Sequence, residues 1–303
     1  MRITNNMVTN SILSELQQLE GQQSSLQTEV SSGLAVTQPS DNPAAFGQVV
    51  ELEGQSNESA QFGKNAQQAL NLANASYAGL DSLQQIYDRA SQLGALGTGT
   101  LGSSATTAYG SELDQLIQQA VQVANSQLNN TYIYAGTAVN QPPFSTTLNG
   151  NGQIGSVSYT SAPGSDQQAS IALSATSSVS PSTSGTTNQG IATLINHMIS
   201  LRDALNSDDS TGISTSSTDL ASDEDVITSA VAENGAIQTR IQADQTQQQA
   251  SANETSSLIS GDTNADLSTT IVKLNQAQLA YQASLQTAAS VMHISILNYI
   301  NLQ

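Results

Sequence analysis

The closing stretch LSTTIVKLNQAQLAYQASLQTAASVMHISILNYINLQ, residues 267–303, decides the fold. Within it Leu267, Ile271, Leu274, Gln278, Tyr281, Leu285, Ala288, Met292, Ser295, Tyr299 and Leu302 follow one another at steps of four and three. Nine of these eleven are apolar, the 3.5-residue rhythm of a helix that packs on another helix. The same helix carries a second apolar side, through Val272, Leu279, Val291, Ile294, Leu297 and Ile300. A helix apolar on two sides needs more than one neighbour.

A matching stripe lies near the other end of the chain, at Ile12, Leu16, Leu19, Gln23, Leu26 and Val30. The termini are therefore expected to pair, with each other or with neighbouring copies. A leucine stripe by itself more often fills an intramolecular core; the second apolar side favours burial between subunits. The candidate assembly residues are Ile12, Leu16, Leu19, Leu26 and Val30 on the first helix. On the last they are Leu267, Ile271, Leu274, Tyr281, Leu285, Met292, Ile296 and Tyr299.

Between the stripes, helices flank a β insertion. The first helix is expected from about residue 5 to Ser32, with Gly33 as its C-cap. Asn42 and Pro43 open a long second helix, since proline at the first position lacks an N–H that would be unpaired there anyway. Ala69, Ala73, Tyr77, Leu80, Gln84 and Tyr87 mark one face of it. The glycines from Gly94 to Gly102 are read as a break. A third helix runs from about Thr106 to Asn129 with Leu113, Leu116, Ala120, Val123 and Leu128 inward.

Beyond it, the turn Asn149-Gly150-Asn151-Gly152 and the alternation around Val157, Tyr159, Ile171 and Leu173 predict strands. Residues 174–188 read as a Ser/Thr linker, 207–218 as a polar loop, and the segments around them as helices. The expected fold is mainly α with a small β insertion. A long antiparallel coiled coil of the paired N- and C-terminal regions carries a central β-rich domain. The domain bounds are 1–40 with 262–303 for the terminal coiled coil, 41–137 with 189–261 for a helical rod, and 138–188 for the outer insertion.

Charge and composition exclude several classes. The 303 residues carry a net charge of −18, with 24 acidic and 6 basic residues, so nucleic acid and anionic membrane surfaces are not expected partners. Cysteine is absent, which removes disulfides and thiolate chemistry. No run approaches the ~20 apolar residues of a membrane span. The opening Met1–Val8 lacks the apolar core of a signal peptide, so the expectation is a cytosolic chain or one exported without a cleaved signal.

Chemical motifs are weak. The triplets Gly97, Gly99, Gly102 and Gly150, Gly152, Gly155 match a dinucleotide fingerprint but lack its strand-to-helix context, and are read as turns. Asp262, Asn264 and Asp266 resemble the start of a calcium loop, but Leu267 and Lys273 stand where its glycine and distal glutamate belong. They are read as helix caps. Asp223, Glu224 and Asp225 are placed in a helix's first turn, where they complement the macrodipole. His197 and His293 have neither cysteine nor a second histidine near them, and are read as packing or surface residues. No catalytic residue, metal or cofactor is expected.

The ends also resemble a known family. The opening Met1-Arg2-Ile3-Thr4-Asn5-Asn6-Met7, then Ser32-Gly33-Leu34 and Gln38-Pro39-Ser40-Asp41-Asn42-Pro43, are similar to the start of the flagellin superfamily. Tyr132-Ile133-Tyr134-Ala135-Gly136-Thr137 with Pro142-Pro143-Phe144 is similar to a segment where the family's helical region meets its β domain, and Leu274–Leu285 and Val291–Ile300 resemble its last helix. Within the superfamily the resemblance is to the L-type hook–filament junction proteins, and it covers about the first 145 and last 85 residues. It implies an exported structural protein of the bacterial flagellum, outside the cell, leaving by the flagellar type III channel. Its implied partners are further copies of itself in a ring or tube, the other hook-associated junction protein, flagellin and an export chaperone. Flagellin itself, or a non-flagellar exported coiled-coil adhesin or tip protein, are the alternatives.

Overall fold

The computed structural model describes residues 5–99, 102–160 and 164–300, with the side chains of 5, 6, 8, 9 and 293–300 excepted. Seven helices and three two-stranded antiparallel sheets make up these residues, most of them helical. The helices are α1 (Asn5–Ser32), α2 (Pro43–Gly97), α3 (Ser103–Ala124), α4 (Gly185–Asn206), α5 (Ser210–Ser222), α6 (Glu224–Thr263) and α7 (Leu267–Ile300). Between α3 and α4 lie β1 (Gln127–Leu128), β2 (Thr131–Tyr132), β3 (Phe144–Leu148), β4 (Ile154–Tyr159), β5 (Ile171–Ala172) and β6 (Ser178–Val179). The expected class, mainly α with a small β insertion, is the one observed. The chain divides into two compact units, residues 1–57 with 252–303 and residues 58–251, and the division falls inside α2 and α6.

The first unit is built on the α1–α7 pair. Glu29 accepts a hydrogen bond from Thr270 at one end, 2.8 Å, and Ile12 and Leu16 lie beside Ala288 and Val291 at the other, so the helices run antiparallel. Gly33 ends α1 at φ 73°, its N–H donating to the Glu29 carbonyl at 2.9 Å, the left-handed cap its position predicts. The chain then forms a single β-bridge between Leu34 and Asn264. Ala35 donates to the Thr263 carbonyl at 2.7 Å and Ala265 to that of Gly33 at 2.9 Å, tying the exit of α1 to the entrance of α7. Asp266 caps α7, accepting from the Ser268 and Thr269 amides at 3.1 and 3.3 Å. Asn42 caps α2 through the Ala45 amide at 3.2 Å. Both polar turns thus do what short polar side chains do at helix starts.

The second unit holds the hydrophobic core. Along α2, positions 66, 69, 73, 76, 80, 83, 87, 90, 94 and 97 are all buried, an unbroken run of three- and four-residue steps. Ser76, Gly94 and Gly97 hide this stripe from a reading by apolarity. Through these glycines α2 runs to Gly97, three residues beyond the expected break at Gly94. A Cβ on Gly94 would collide with the Ser217 hydroxyl and one on Gly97 with Leu205, so their absence lets α4 and α5 close on α2. Residues 207–218, expected as a loop, are largely helix α5. Asp209 accepts from the Thr211 amide at 3.1 Å to start it, and Ile213, Ser216 and Leu220 bury one face. Three inward residues at helical spacing outweigh a polar composition that favours turns. Similarly, α6 continues through Gly261 and Asp262 to Thr263, where an interruption is expected.

Two asparagines dock the β3–β4 hairpin on the helices. Asn125, at the C-cap of α3, donates to the Phe144 carbonyl at 2.9 Å and accepts its N–H at 3.0 Å. Asn196 of α4 does the same for Val157, at 2.8 and 2.9 Å. Each amide completes one residue on the outer edge of a strand, so polar groups that a two-stranded sheet leaves open are satisfied. Phe144, Val157 and Tyr159 then join the same core as α2, α3 and α4. The smaller β5–β6 pair adds Leu173 and Val179 to a second cluster with Ala66, Ala69, Ala73 and Ile241.

The segment Tyr132–Thr137 locks the loop before β3. The Tyr134 hydroxyl donates to the Ser76 carbonyl of α2 at 2.9 Å, and burial raises its pKa well beyond the ordinary phenol value. Asn188 donates to the Tyr134 carbonyl at 2.8 Å and to the Tyr159 hydroxyl at 3.1 Å, and accepts from Thr183. Gly136 sits at φ 58° with the carbonyls of Gly164, Ser165 and Gln167 crowded where a Cβ would stand. Gly136→Ala is therefore expected to cost about 2–4 kcal/mol, the left-handed penalty plus displacement of backbone. Gly33→Ala, at similar φ but in open space, should cost about 1–2 kcal/mol. Urea unfolding of the two variants side by side checks the order.

Candidate assembly surface

The thirteen assembly residues divide by exposure. On α1, Ile12, Leu16, Leu19, Leu26 and Val30 are half-buried and form the seam against α7, with Gln23 in the same row. On α7 the seam is Thr270, Leu274, Ala277, Tyr281, Ser284, Ala288 and Val291, again at steps of four and three. It shares Leu274, Tyr281 and Ala288 with the stripe read from sequence. Leu267, Ile271, Leu285 and Met292 lie to one side and stay exposed at 45%, 45%, 44% and 53%. The Ile296 and Tyr299 side chains lie outside the described residues. Alanines at 277 and 288 let α1 approach closely, so the partner takes the small side of a helix that is apolar on two sides. Reading apolarity alone passed over Ala277 and Ser284 and set Val291 on the second side; their spacing from Thr270 was the available signal.

The outward side of α7 adds Val272 and Leu279, exposed at 54% and 66%. Among the described residues, eleven of fourteen exposed large hydrophobics belong to the first unit. Of its described apolar residues that unit buries only Val49, Leu52, Ala277 and Ala288. The surface is thus rich in the groups that association would cover, and poor in core of its own.

The chemical candidates have structural partners. The Gly150–Gly152 triplet turns β3 into β4, with Gly152 at φ 77° and Asn149 accepting from the Asn151 and Gln153 amides at 3.0 Å. Glu224 and Asp225 open α6, whereas Asp223 is the C-cap of α5 and is buried. Its Oδ2 lies 2.6 Å from His197 Nδ1, tying α4 to the α5–α6 junction. His293 lies outside the described side chains. No group of three or more metal-ligating side chains occurs among the described residues. None of their helices is long and apolar enough to cross a membrane.

Burial raises the Asp223 carboxyl above its ordinary value; the hydrogen bond and charge of His197 offset this in part, and Asp219 adds to it. The folded state then holds this proton more tightly than the unfolded chain. Its contribution to stability is fully present below the unfolded value, near pH 4, and falls as pH rises through the raised folded value. Asp223→Asn, which keeps an acceptor for His197, should remove that component of the pH dependence. Urea midpoints of parent and variant, followed upward from about pH 4, test it.

Residues 3–139 match the bacterial flagellin N-terminal helical region. No curated protein matches the chain in sequence. Among solved structures, a Vibrio parahaemolyticus protein assigned as a flagellar hook-associated protein shares its fold with TM-score 0.64 at 13% identity, over 74% of this chain and 100% of that one. Bacillus cereus FlgL gives 0.55 at 16% identity, over 70% and 98%. Xanthomonas campestris FlgL gives 0.55 at 14%, over 67% and 97%. Residues 3–139 are thus similar to the bacterial flagellin N-terminal helical region, and the chain has the fold of flagellar hook-associated proteins.

Proposed function

We propose that this chain is a structural junction protein of the bacterial flagellum, joining hook to filament through its terminal helices. The observation that carries the reading is the contrast between the two units. Residues 58–251 hold both hydrophobic clusters, while among the described residues the α1–α7 unit fully buries just two of its large apolar side chains, Val49 and Leu52, and leaves eleven exposed. A side chain such as Leu279 gains about 1.5–3 kcal/mol when a neighbour covers it. Ordering one residue costs about 1–2 kcal/mol of backbone entropy, so one thin helix pair gains little alone and much more within a ring of copies.

On this reading the terminal helices form the inner layer of a tubular assembly, the helices of the second unit a surrounding layer, and residues 138–188 its outer surface. The partners are further copies, the other junction protein, flagellin and an export chaperone; passage through the flagellar export channel needs no cleaved signal. A structural protein of this kind needs no catalytic centre. Deleting the gene should leave bare hooks and release flagellin monomer into the medium, scored by electron microscopy of hooks and by blotting the supernatant. Filaments of normal length on the deleted strain would refute the assignment.

A further inference from the structure

Asparagine stands directly before glycine three times in the chain, at Asn149, Asn151 and Asn234. Such a pair can react with itself. The glycine nitrogen attacks the asparagine side-chain Cγ, and the missing Cβ of glycine leaves the approach open. The three sites give that attack different surroundings. Asn234 lies inside α6 and is 3% exposed. The Gly235 N–H belongs to the helix ladder, and Asn234 Oδ1 accepts from the Gln238 amide at 2.7 Å, so attack there requires unwinding the helix. Asn151 is exposed in the β3–β4 turn, but its nucleophile is tied: the Gly152 N–H donates to the Asn149 carbonyl at 3.0 Å. No donor among the described residues reaches Asn151 Oδ1. Asn149 has the reverse arrangement. Gly150 is exposed, and its N–H has no acceptor among the described residues. Asn149 Oδ1 accepts two backbone N–H groups, from Asn151 and Gln153, each at 3.0 Å. Two donors on a carbonyl oxygen draw electrons from Cγ and stand where negative charge grows when a nucleophile adds, as in an oxyanion hole.

We propose that Asn149 is a site of spontaneous deamidation built into the β3–β4 turn, and the one asparagine–glycine pair that the folded chain activates. The Gly150 nitrogen gives its proton to hydroxide and bonds to Asn149 Cγ. The Cγ–Nδ2 bond breaks, and the nitrogen takes a proton from solvent and leaves as ammonia. The five-membered succinimide so formed adds one water and opens to aspartate or to isoaspartate, in which the chain runs through the side-chain carbon. One asparagine and one water become one acidic residue and one ammonia, with no oxidant, metal or second enzyme. Residues 115–165 contain no Asp, Glu, Lys or Arg, so the product is the first charge on that whole stretch. Aspartate keeps both accepted N–H bonds and strengthens them through its charge. Isoaspartate instead adds a methylene to the backbone of a turn whose length sets the β3–β4 register.

The test uses the purified full chain, incubated for weeks at mildly alkaline pH in water labelled with heavy oxygen and read by peptide mapping in a mass spectrometer. Asn149 should take up label at least about tenfold faster than Asn151 or Asn234, the effect of about one hydrogen bond in the transition state. In the urea-unfolded chain Asn149 and Asn151 should react at similar rates, since each is then simply asparagine before glycine. Equal rates in the folded chain, or faster conversion at Asn151, would overturn the proposal. The same preference in urea would also overturn it, by assigning the selection to local sequence. Nothing lies within 4 Å of where a Cβ on Gly150 would stand, and its φ is outside the left-handed region. Gly150→Ala should therefore keep the parent's melting temperature while its methyl group screens the attacking nitrogen, slowing conversion at Asn149 about tenfold or more. Undiminished conversion in that variant would mean direct hydrolysis without ring closure, and the proposal would fall.

Discussion

Arg202→Ala lowers the melting temperature by about 6–20 °C, the largest loss of stability expected from one substitution in this chain. Arg202 is fully buried in α4. Its guanidinium donates to Asp114 of α3 at 2.9 Å, to the Ile154 carbonyl of β4 at 2.7 Å, and to the neighbouring Asp203 at 2.7 and 2.9 Å. One side chain therefore joins two helices and the docked hairpin. Removing it leaves the buried Asp114 carboxylate with the neutral Gln118 amide, at 2.9 Å, but no opposite charge, and takes the guanidinium from the Ile154 carbonyl. Breaking a buried pair on one side costs about 3–5 kcal/mol, because the remaining charge has no compensation. Replacing both partners, Arg202→Met with Asp114→Leu, should recover a good part of the loss, since apolar substitutes often equal a buried pair. Thermal unfolding by far-ultraviolet circular dichroism checks the series; equal losses in single and double variants would show that lost volume, not stranded charge, dominates. By comparison Arg89–Glu112, 2.6 Å apart but with both side chains above 40% exposed, should add little.

Val272→Asp with Leu279→Asp should leave the isolated chain as stable as the parent while abolishing its entry into the flagellum. Both side chains are more than half exposed, and surface changes away from packed contacts shift stability by about 0.5 kcal/mol or less. In an assembly that covers them, each change forfeits about 1.5–3 kcal/mol of burial and adds the cost of a covered carboxylate. The two together exceed about 3 kcal/mol per copy, more than a hundredfold in association. Leu148→Asp is the matched control: it is 68% exposed on β3 of the second unit, and should change neither stability nor incorporation. Circular dichroism of the purified chains and blotting of sheared flagella give the two readouts. If the control and the α7 variant behave alike, the exposed apolar side of α7 is not the assembly surface.

The sequence by itself determined the element plan. The four–three rhythm set α1 and α7, Gly33 and Asn42 set a stop and a start, and the Asn-Gly turn set the β3–β4 hairpin. These signals are local: they depend on helical period, on φ above zero at glycine, and on caps within four residues of the group they satisfy. Only the tertiary structure decided the rest. Which side of α7 meets α1 turned on the small residues Ala277 and Ala288, because close approach of two helices depends on size and not on hydropathy. The continuation of α2 through Gly94 and Gly97 and the folding of α5 from a polar segment depended on neighbours more than a hundred residues away. Nothing in the order of residues sets Arg202 apart from the other five bases; Asp114, 88 positions earlier, meets it only in the folded chain. Burial, charge pairing and close approach are properties of the partner surface as much as of the residue, and a single chain read in order carries no record of which surfaces meet.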